Sequence, residues 1–175
     1  HAEWHRVLCG RAGGAGAEGG TVGLTGGTTH LRSDILIDLG HSRNPLLDVG
    51  QVEGAFVQGL GLMTTEQMMY EPDGRLYSNG TWEYKPPCSK SIPVDFRVTL
   101  DKGGDPNQTN SAVMSSRGIG EPPLVLSASV FFAIKQAIMA ARRDQGDDTW
   151  FTMPAPATVG RVQSHCRVKR GSMHL

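Results

Sequence analysis

An α+β fold follows from the way strand-like and helix-like segments alternate along this 175-residue chain. Asp34-Ile35-Leu36-Ile37-Asp38-Leu39 is short, aliphatic and closed by Gly40, which suits a largely buried strand. From Asp48 the spacing changes. Val49, Val52, Ala55, Phe56 and Leu60 recur at three and four residues, which places them on one face of a helix. After Pro122-Pro123, Leu124, Ala128, Phe131, Phe132, Lys135, Ile138 and Arg142 step in the same way, so a second long helix is expected there. Its last turn carries Arg142 and Arg143, favourable at the negative end of the helix dipole. The expected architecture is mixed sheet segments with two main helices.

The remaining elements are weaker signals. Asn44-Pro45 punctuates the turn before the first helix, and Gly54, Gly59 and Gly61 within it predict that another backbone or a ligand packs close. Pro72-Asp73-Gly74 predicts a turn between a strand ending near Tyr70 and one starting near Leu76. Phe96 to Leu100 alternates as a strand, Lys102 to Asn110 reads as a surface loop, and Ser111 to Ser115 as another short strand. Residues 160 to 167 suit a short final helix. Residues 1–30 stand apart: RAGGAGAEGGTVGLTGG is dense in glycine and nearly empty of large apolar side chains, which predicts a disordered or aberrant leader. It lacks the GxxxxGK[ST] pattern of a phosphate loop. An ordered body over 31–168 and a tail over 169–175 complete the expected organisation.

Composition narrows the function classes. Seventeen basic residues balance seventeen acidic ones, so the charge points to neither nucleic acid nor an anionic membrane surface. No uninterrupted apolar run approaches the roughly 20 residues of a bilayer span. Cys9, Cys88 and Cys166 are far apart and form no CxxC pair, which predicts free thiols in a reducing, cytoplasmic compartment. His30 and His41 lack partners at metal-ligand spacing, so surface or turn roles are expected. Ser115 and Ser116 lie outside any GxSxG context.

Two polar residues remain as candidates. Glu121, in GIGEPPLVLS, stands at a helix start, where the dipole favours negative charge. It could cap the helix, or it could serve as a general base held on a tight turn between glycine and proline. Gln51 follows Asp48 by three residues, as in a capping box, and is alternatively a neutral donor and acceptor directed at a polar ligand.

The stretches VGQVEGAFVQG and GIGEPP, in that order, resemble the C-terminal part of the molybdopterin-binding domain of xanthine dehydrogenases and the related aldehyde oxidases. The resemblance runs from about Leu31 to Arg143 and faintly to Pro156-Ala157-Thr158. It implies a molybdenum–molybdopterin cofactor, with Glu121 as catalytic base and Gln51 and the backbone of Ile119 and Gly120 against the cofactor. It assigns no protein ligand to the metal. The implied reaction oxidises hypoxanthine and xanthine to urate through base-assisted attack of a molybdenum-bound hydroxyl and hydride transfer to Mo=S. The proline after the glutamate is more like xanthine dehydrogenases, whereas an aldehyde oxidase acting on aldehydes and N-heterocycles is the alternative.

The resemblance also implies what lies elsewhere. FAD and 2Fe-2S clusters belong to parts of the full-length enzyme with no counterpart here, and the remainder of that enzyme and a second copy in a homodimer are the expected partners. Arg117 stands where the family usually has lysine, and neither the leader nor RVKRGSMHL matches it. A truncated product, inactive alone, or a non-catalytic remnant is therefore expected.

Overall fold

The computed structural model describes residues 7–8, 13–23, 25–39, 42, 44–101 and 119–168. The loop expected over 102–110, the strand over 111–115, and Cys9, His41, Ser115, Ser116, Arg117 and the tail all lie outside them.

Four strands form one mixed sheet in chain order: β1 (Val7–Leu8), β2 (Gly13–Val22), β3 (Gly27–Ile37) and β4 (Asp95–Leu100). β1 with β2 and β2 with β3 are antiparallel, whereas β3 with β4 is parallel, Ile35 lying opposite Val98. A parallel neighbour needs a crossover. Helix α1 (Pro45–Thr64) and the segment after it supply that crossover, and Phe56 of α1 meets Phe96 of β4 with ring centroids 5.2 Å apart. The α+β expectation holds.

The sheet has one covered and one open face. Ser33, Ile35, Ile37 and Leu39 are buried, whereas Leu36 between them is half exposed, the period-two signature of a one-sided strand. The open face carries a charge ladder in which Arg32 pairs with Asp34 at 2.7 Å and Arg97 pairs with Asp95 at 2.7 Å. Such exposed pairs contribute little to stability, but they suit the face to water.

Residues 13–22 and 27–30, expected in a disordered leader, lie in β2 and β3 instead. β2 pairs along its length with β3, and Ala15 and Ala17 sit in the core beneath helix α3 (Ala128–Arg143). The composition argument fails because the chain buries area here through closeness rather than size. A strand of glycine and alanine lets Ala133 and Ala137 of α3 approach the sheet, and β2 gains its stability from pairing and from its neighbours' larger side chains. A phosphate loop is excluded over these residues, because they form a strand that turns directly into another strand.

The helices begin and break where local chemistry dictates. α1 starts at Pro45, three residues earlier than its apolar spacing suggests: Asn44 is the N-cap, its side chain accepting from the Leu47 N–H at 3.4 Å. Asp48 is therefore no cap, and its buried carboxylate instead accepts from the Ser42 hydroxyl at 2.5 Å. The run after Glu121 divides into α2 (Pro122–Leu126) and α3 at Ser127, whose hydroxyl donates to the Leu124 carbonyl at 2.6 Å. Ser129 does the same to Leu126 at 2.8 Å, and such local bonds compete with the helical ladder.

Pro122–Arg143 taken as a whole is long and apolar enough by composition to cross a membrane, although Lys135 and Gln136 interrupt its apolar run. Its buried side packs on β2 and α1, as in a core helix. That buried side is Val130, Ala133, Ile134, Ala137 and Ile138 rather than the Phe131–Phe132 register, and Phe132 is half exposed. Helix α4 (Val159–Cys166) closes the fold close to its expected bounds. Near residue 70 only a single bridge, Tyr70 to Leu76, forms around the turn, in place of two strands.

The end of α3 is pinned by a buried cation. Arg142, 2% exposed, pairs with Asp147 at 2.7 Å, bonds Thr149 at 2.8 Å and lies 4.6 Å from the Phe151 ring centroid. The other end of Phe151's neighbourhood is α4: its ring stacks on His165 at 5.1 Å.

Of Gly54, Gly59 and Gly61 in α1, Gly59 meets the closest backbone. A methyl group there would overlap the Leu124 carbonyl oxygen and the Ser127 hydroxyl, so the missing side chain sets the separation of α1 and α2. Gly54 has nothing within 4 Å, contrary to expectation. The two glycines predict opposite results in denaturant titrations. Gly54→Ala gains helix propensity, about 0.5–1 kcal/mol. Gly59→Ala gains the same propensity but forces the helices apart, for a net loss of about 1–3 kcal/mol. Equal midpoints for the two variants would remove Gly59 from its role as spacer.

Candidate functional site

Ile119, Gly120 and Glu121 form the lead-in to α2. Ile119 is 6% exposed and belongs to the hydrophobic core, so its side chain anchors the turn from below. Glu121 occupies the N-cap position of α2 and is exposed. Its carboxylate makes no capping hydrogen bond.

The sequence itself explains that freedom. An N-cap side chain accepts from the N–H of the second or third helical residue. The second here is Pro123, which has no N–H, and the third, Leu124, donates to the backbone carbonyl of Glu121 at 3.0 Å. Nothing is left for the carboxylate to cap. Two consecutive prolines thus hold an acidic group at a helix mouth without occupying it, and the cap reading of Glu121 fails.

Gln51 lies in the second turn of α1, exposed, too far from the helix start for the capping box expected with Asp48. Its side chain turns towards the Glu121 segment: a Cβ built on Gly120 would stand 3.2 Å from Gln51 Oε1. The fold therefore brings Gln51, Gly120 and Glu121 together although 69 residues separate Gln51 from Gly120 in sequence. Two contacts fix the arrangement, Gln51 with Gly120 and Gly59 with Leu124, in the same order along both segments.

The chemistry of this surface is specific. An amide offers a donor and an acceptor, a glycine keeps the backbone accessible, and an unengaged carboxylate can accept a proton. Among the described residues no group of three His, Cys, Asp or Glu side chains could hold a metal ion.

The sequence reading missed three residues. Asn44 was readable, since asparagine before proline is a helix-start signature. Gly59 was flagged only together with Gly54 and Gly61, and nothing local separates them. His30 was unreadable: it lies in β3, and its Nδ1–H donates to the Ser91 carbonyl at 3.0 Å, a partner 61 residues away. It is neither a turn nor a surface histidine, and burial pushes its pKa below the ordinary value against the opposing effect of that hydrogen bond.

A molybdopterin cofactor-binding domain family matches residues 20–93, which include Gln51 and all of β3. Xanthine dehydrogenase/oxidase of Gallus gallus is 49% identical over 143 residues, covering 82% of this chain and 10% of that protein. The chain belongs to the xanthine dehydrogenase family. Xanthine dehydrogenase of Dictyostelium discoideum is 48% identical over the same share of this chain. The chain spans about a tenth of the length of these curated relatives and is a part of the family's larger domain.

Solved structures extend the fold beyond close relatives. Quinoline 2-oxidoreductase from Pseudomonas putida 86 superposes with a TM-score of 0.74 at 22% identity, over 89% of this chain and 18% of that one. Aldehyde oxidoreductase from Desulfovibrio gigas gives 0.65 at 25% identity, over 89% and 15%. The family match begins at residue 20, ahead of the boundary expected at 31, in keeping with the ordered β2–β3 hairpin.

Proposed function

We propose that this chain forms part of the molybdenum site of a xanthine dehydrogenase that oxidises hypoxanthine and xanthine to urate, with Glu121 as general base. The observation that carries the reading is the uncapped, exposed carboxylate of Glu121 on a glycine turn that touches the Gln51 amide. A base must be ionised, accessible and fixed. Glu121 is exposed, makes no capping bond and is anchored by the buried side chain of Ile119.

When bound, a molybdenum–molybdopterin group supplies the redox chemistry, taking up an electron pair as a carbon–hydrogen bond of the substrate becomes carbon–oxygen. Gln51 would donate its amide hydrogens to the polar edge of that group, and the backbone at Ile119 and Gly120 would approach it where no side chain intervenes. A carboxylate oxygen of Glu121 would take the proton of the attacking hydroxyl as the new bond forms. FAD and 2Fe-2S clusters, the purine-orienting residues and the dimer contacts would come from the rest of a soluble, cytoplasmic enzyme. The close relatives named for xanthine support purine over aldehyde as substrate.

Purification of the complete enzyme that contains this segment tests the reading. Molybdenum and pterin in equal amounts, with urate formed from xanthine, are expected. Oxidation of aldehydes without urate formation would assign the segment to an aldehyde oxidase, and absence of both cofactor and turnover would make it a non-catalytic remnant.

A further inference from the structure

A small pocket lies under the β2–β3 hairpin, away from Glu121. Its polar wall includes Ser33 and His30, its apolar wall is Val130, Ala133 and Ile134 of α3, and Glu18 stands at its edge. The pocket exists because the ladder slips: Glu18 pairs with Arg32 and Gly19 with His30, so Leu31 has no opposite residue. A bulge of this kind places two residues against one and re-aims the side chains on either side. His30 and Ser33, three apart, would face opposite sides of a regular strand. Here both line the same pocket.

One buried polar atom of each of His30 and Ser33 lacks a partner among the described residues. Ser33 is fully buried and its hydroxyl makes no hydrogen bond among the described residues, and Nε2 of His30 is buried and equally without one. The tautomer is fixed by the other ring nitrogen. A carbonyl oxygen only accepts, so the Ser91 bond requires a proton on Nδ1, and neutral His30 then presents a lone pair at Nε2. A bare acceptor and a bare hydroxyl beside an apolar helix are each costly to bury if nothing joins them. The pocket measures about 10 Å³, the lower bound for holding one water molecule, and too small for any larger ligand.

We propose that this pocket is a binding site for a single buried water, which donates one hydrogen bond to Nε2 of His30 and shares a second with the hydroxyl of Ser33. The water completes the bulge. It satisfies both strand residues against α3, and it holds His30 in the tautomer that reaches Ser91, so that the turn before β4 is tied to the β2–β3 hairpin.

Two measurements on the chain decide the matter. In a crystal structure that resolves ordered water, one water is expected within hydrogen-bonding distance of both His30 Nε2 and Ser33 Oγ. An empty pocket, or a Ser33 hydroxyl bonded to a main-chain carbonyl, overturns the proposal. In solution, a long-lived water cross-peak to the His30 ring protons is expected in the wild-type chain and is expected to be lost in Ser33→Ala. Absence of the peak from the folded wild type, or its persistence unchanged in Ser33→Ala, overturns it as well. The wild-type measurements stand even if the variant does not fold.

Discussion

Replacing Glu121 with glutamine in the complete enzyme is expected to lower kcat by roughly 10²–10⁴-fold, the contribution typical of a general base. The amide keeps the size of the side chain and removes only its capacity to take a proton. Molybdenum content and KM are expected to change little, because the carboxylate is proposed to act on the reacting hydroxyl rather than to hold the cofactor. Thermal stability separates this role from a structural one. A residue that caps a helix loses stability when altered, but Glu121 makes no capping bond, so the melting temperature of Glu121→Gln should match that of the parent. Undiminished turnover would end the assignment of Glu121 as base, and a large fall in stability would restore the cap.

The second large effect concerns Arg142. Asp147→Ala leaves this guanidinium buried with Thr149 as its remaining hydrogen-bond partner among the described residues. Stranding a buried ion costs about 3–5 kcal/mol, whereas replacing the ion by an apolar residue of similar size is far milder. The melting temperature of Asp147→Ala is therefore expected to fall by roughly 6–20 °C, given the usual scaling for a chain of this length. Arg142→Met should lose less, since Asp147 keeps Arg167 at 3.2 Å. The order of the two variants is the test. If Arg142→Met is the more damaging, the packing of Arg142 on Phe151 outweighs its charge. Acid sensitivity follows the same pair. Hydrogen bonds from Thr149 and then Arg142 hold the Asp147 carboxyl well below the usual carboxylate range. Its contribution is thus complete above the unfolded-state value, near pH 4, and is lost progressively as pH falls towards the lowered folded value.

The parts of this fold legible in the sequence are those that one element decides alone. The apolar line of α1 through Val52, Ala55, Phe56 and Leu60 is buried as its spacing predicts, and β4 and α4 lie close to their expected bounds. β2 was illegible because its burial depends on Ala133 and Ala137, more than a hundred residues away, and not on any apolar content of its own. The register of α3 was misread for the same reason. Large Phe131 and Phe132 look like core residues, but β2, a strand of glycine and alanine, packs against the side of the helix that carries Ala133 and Ala137.

The candidate site divides in a similar way. Glu121 and Gln51 were found through motifs, yet the geometry that distinguishes a free carboxylate from a cap was also written in the sequence. Two prolines after a glutamate remove the only donors it could cap, save one that its own carbonyl takes. By contrast, the meeting of Gln51 with Gly120 depends on how α1 crosses α2, and that depends on Gly59.

The pair of contacts between these segments also has a kinematic meaning. One point of contact lets two bodies pivot, whereas two points spaced along their lengths remove that freedom. With Gln51 against Gly120 and Gly59 against Leu124, the mouth of α2 is carried on α1 as on a twenty-residue rod. In such a joint, any adjustment falls to whatever packs against the two segments from outside.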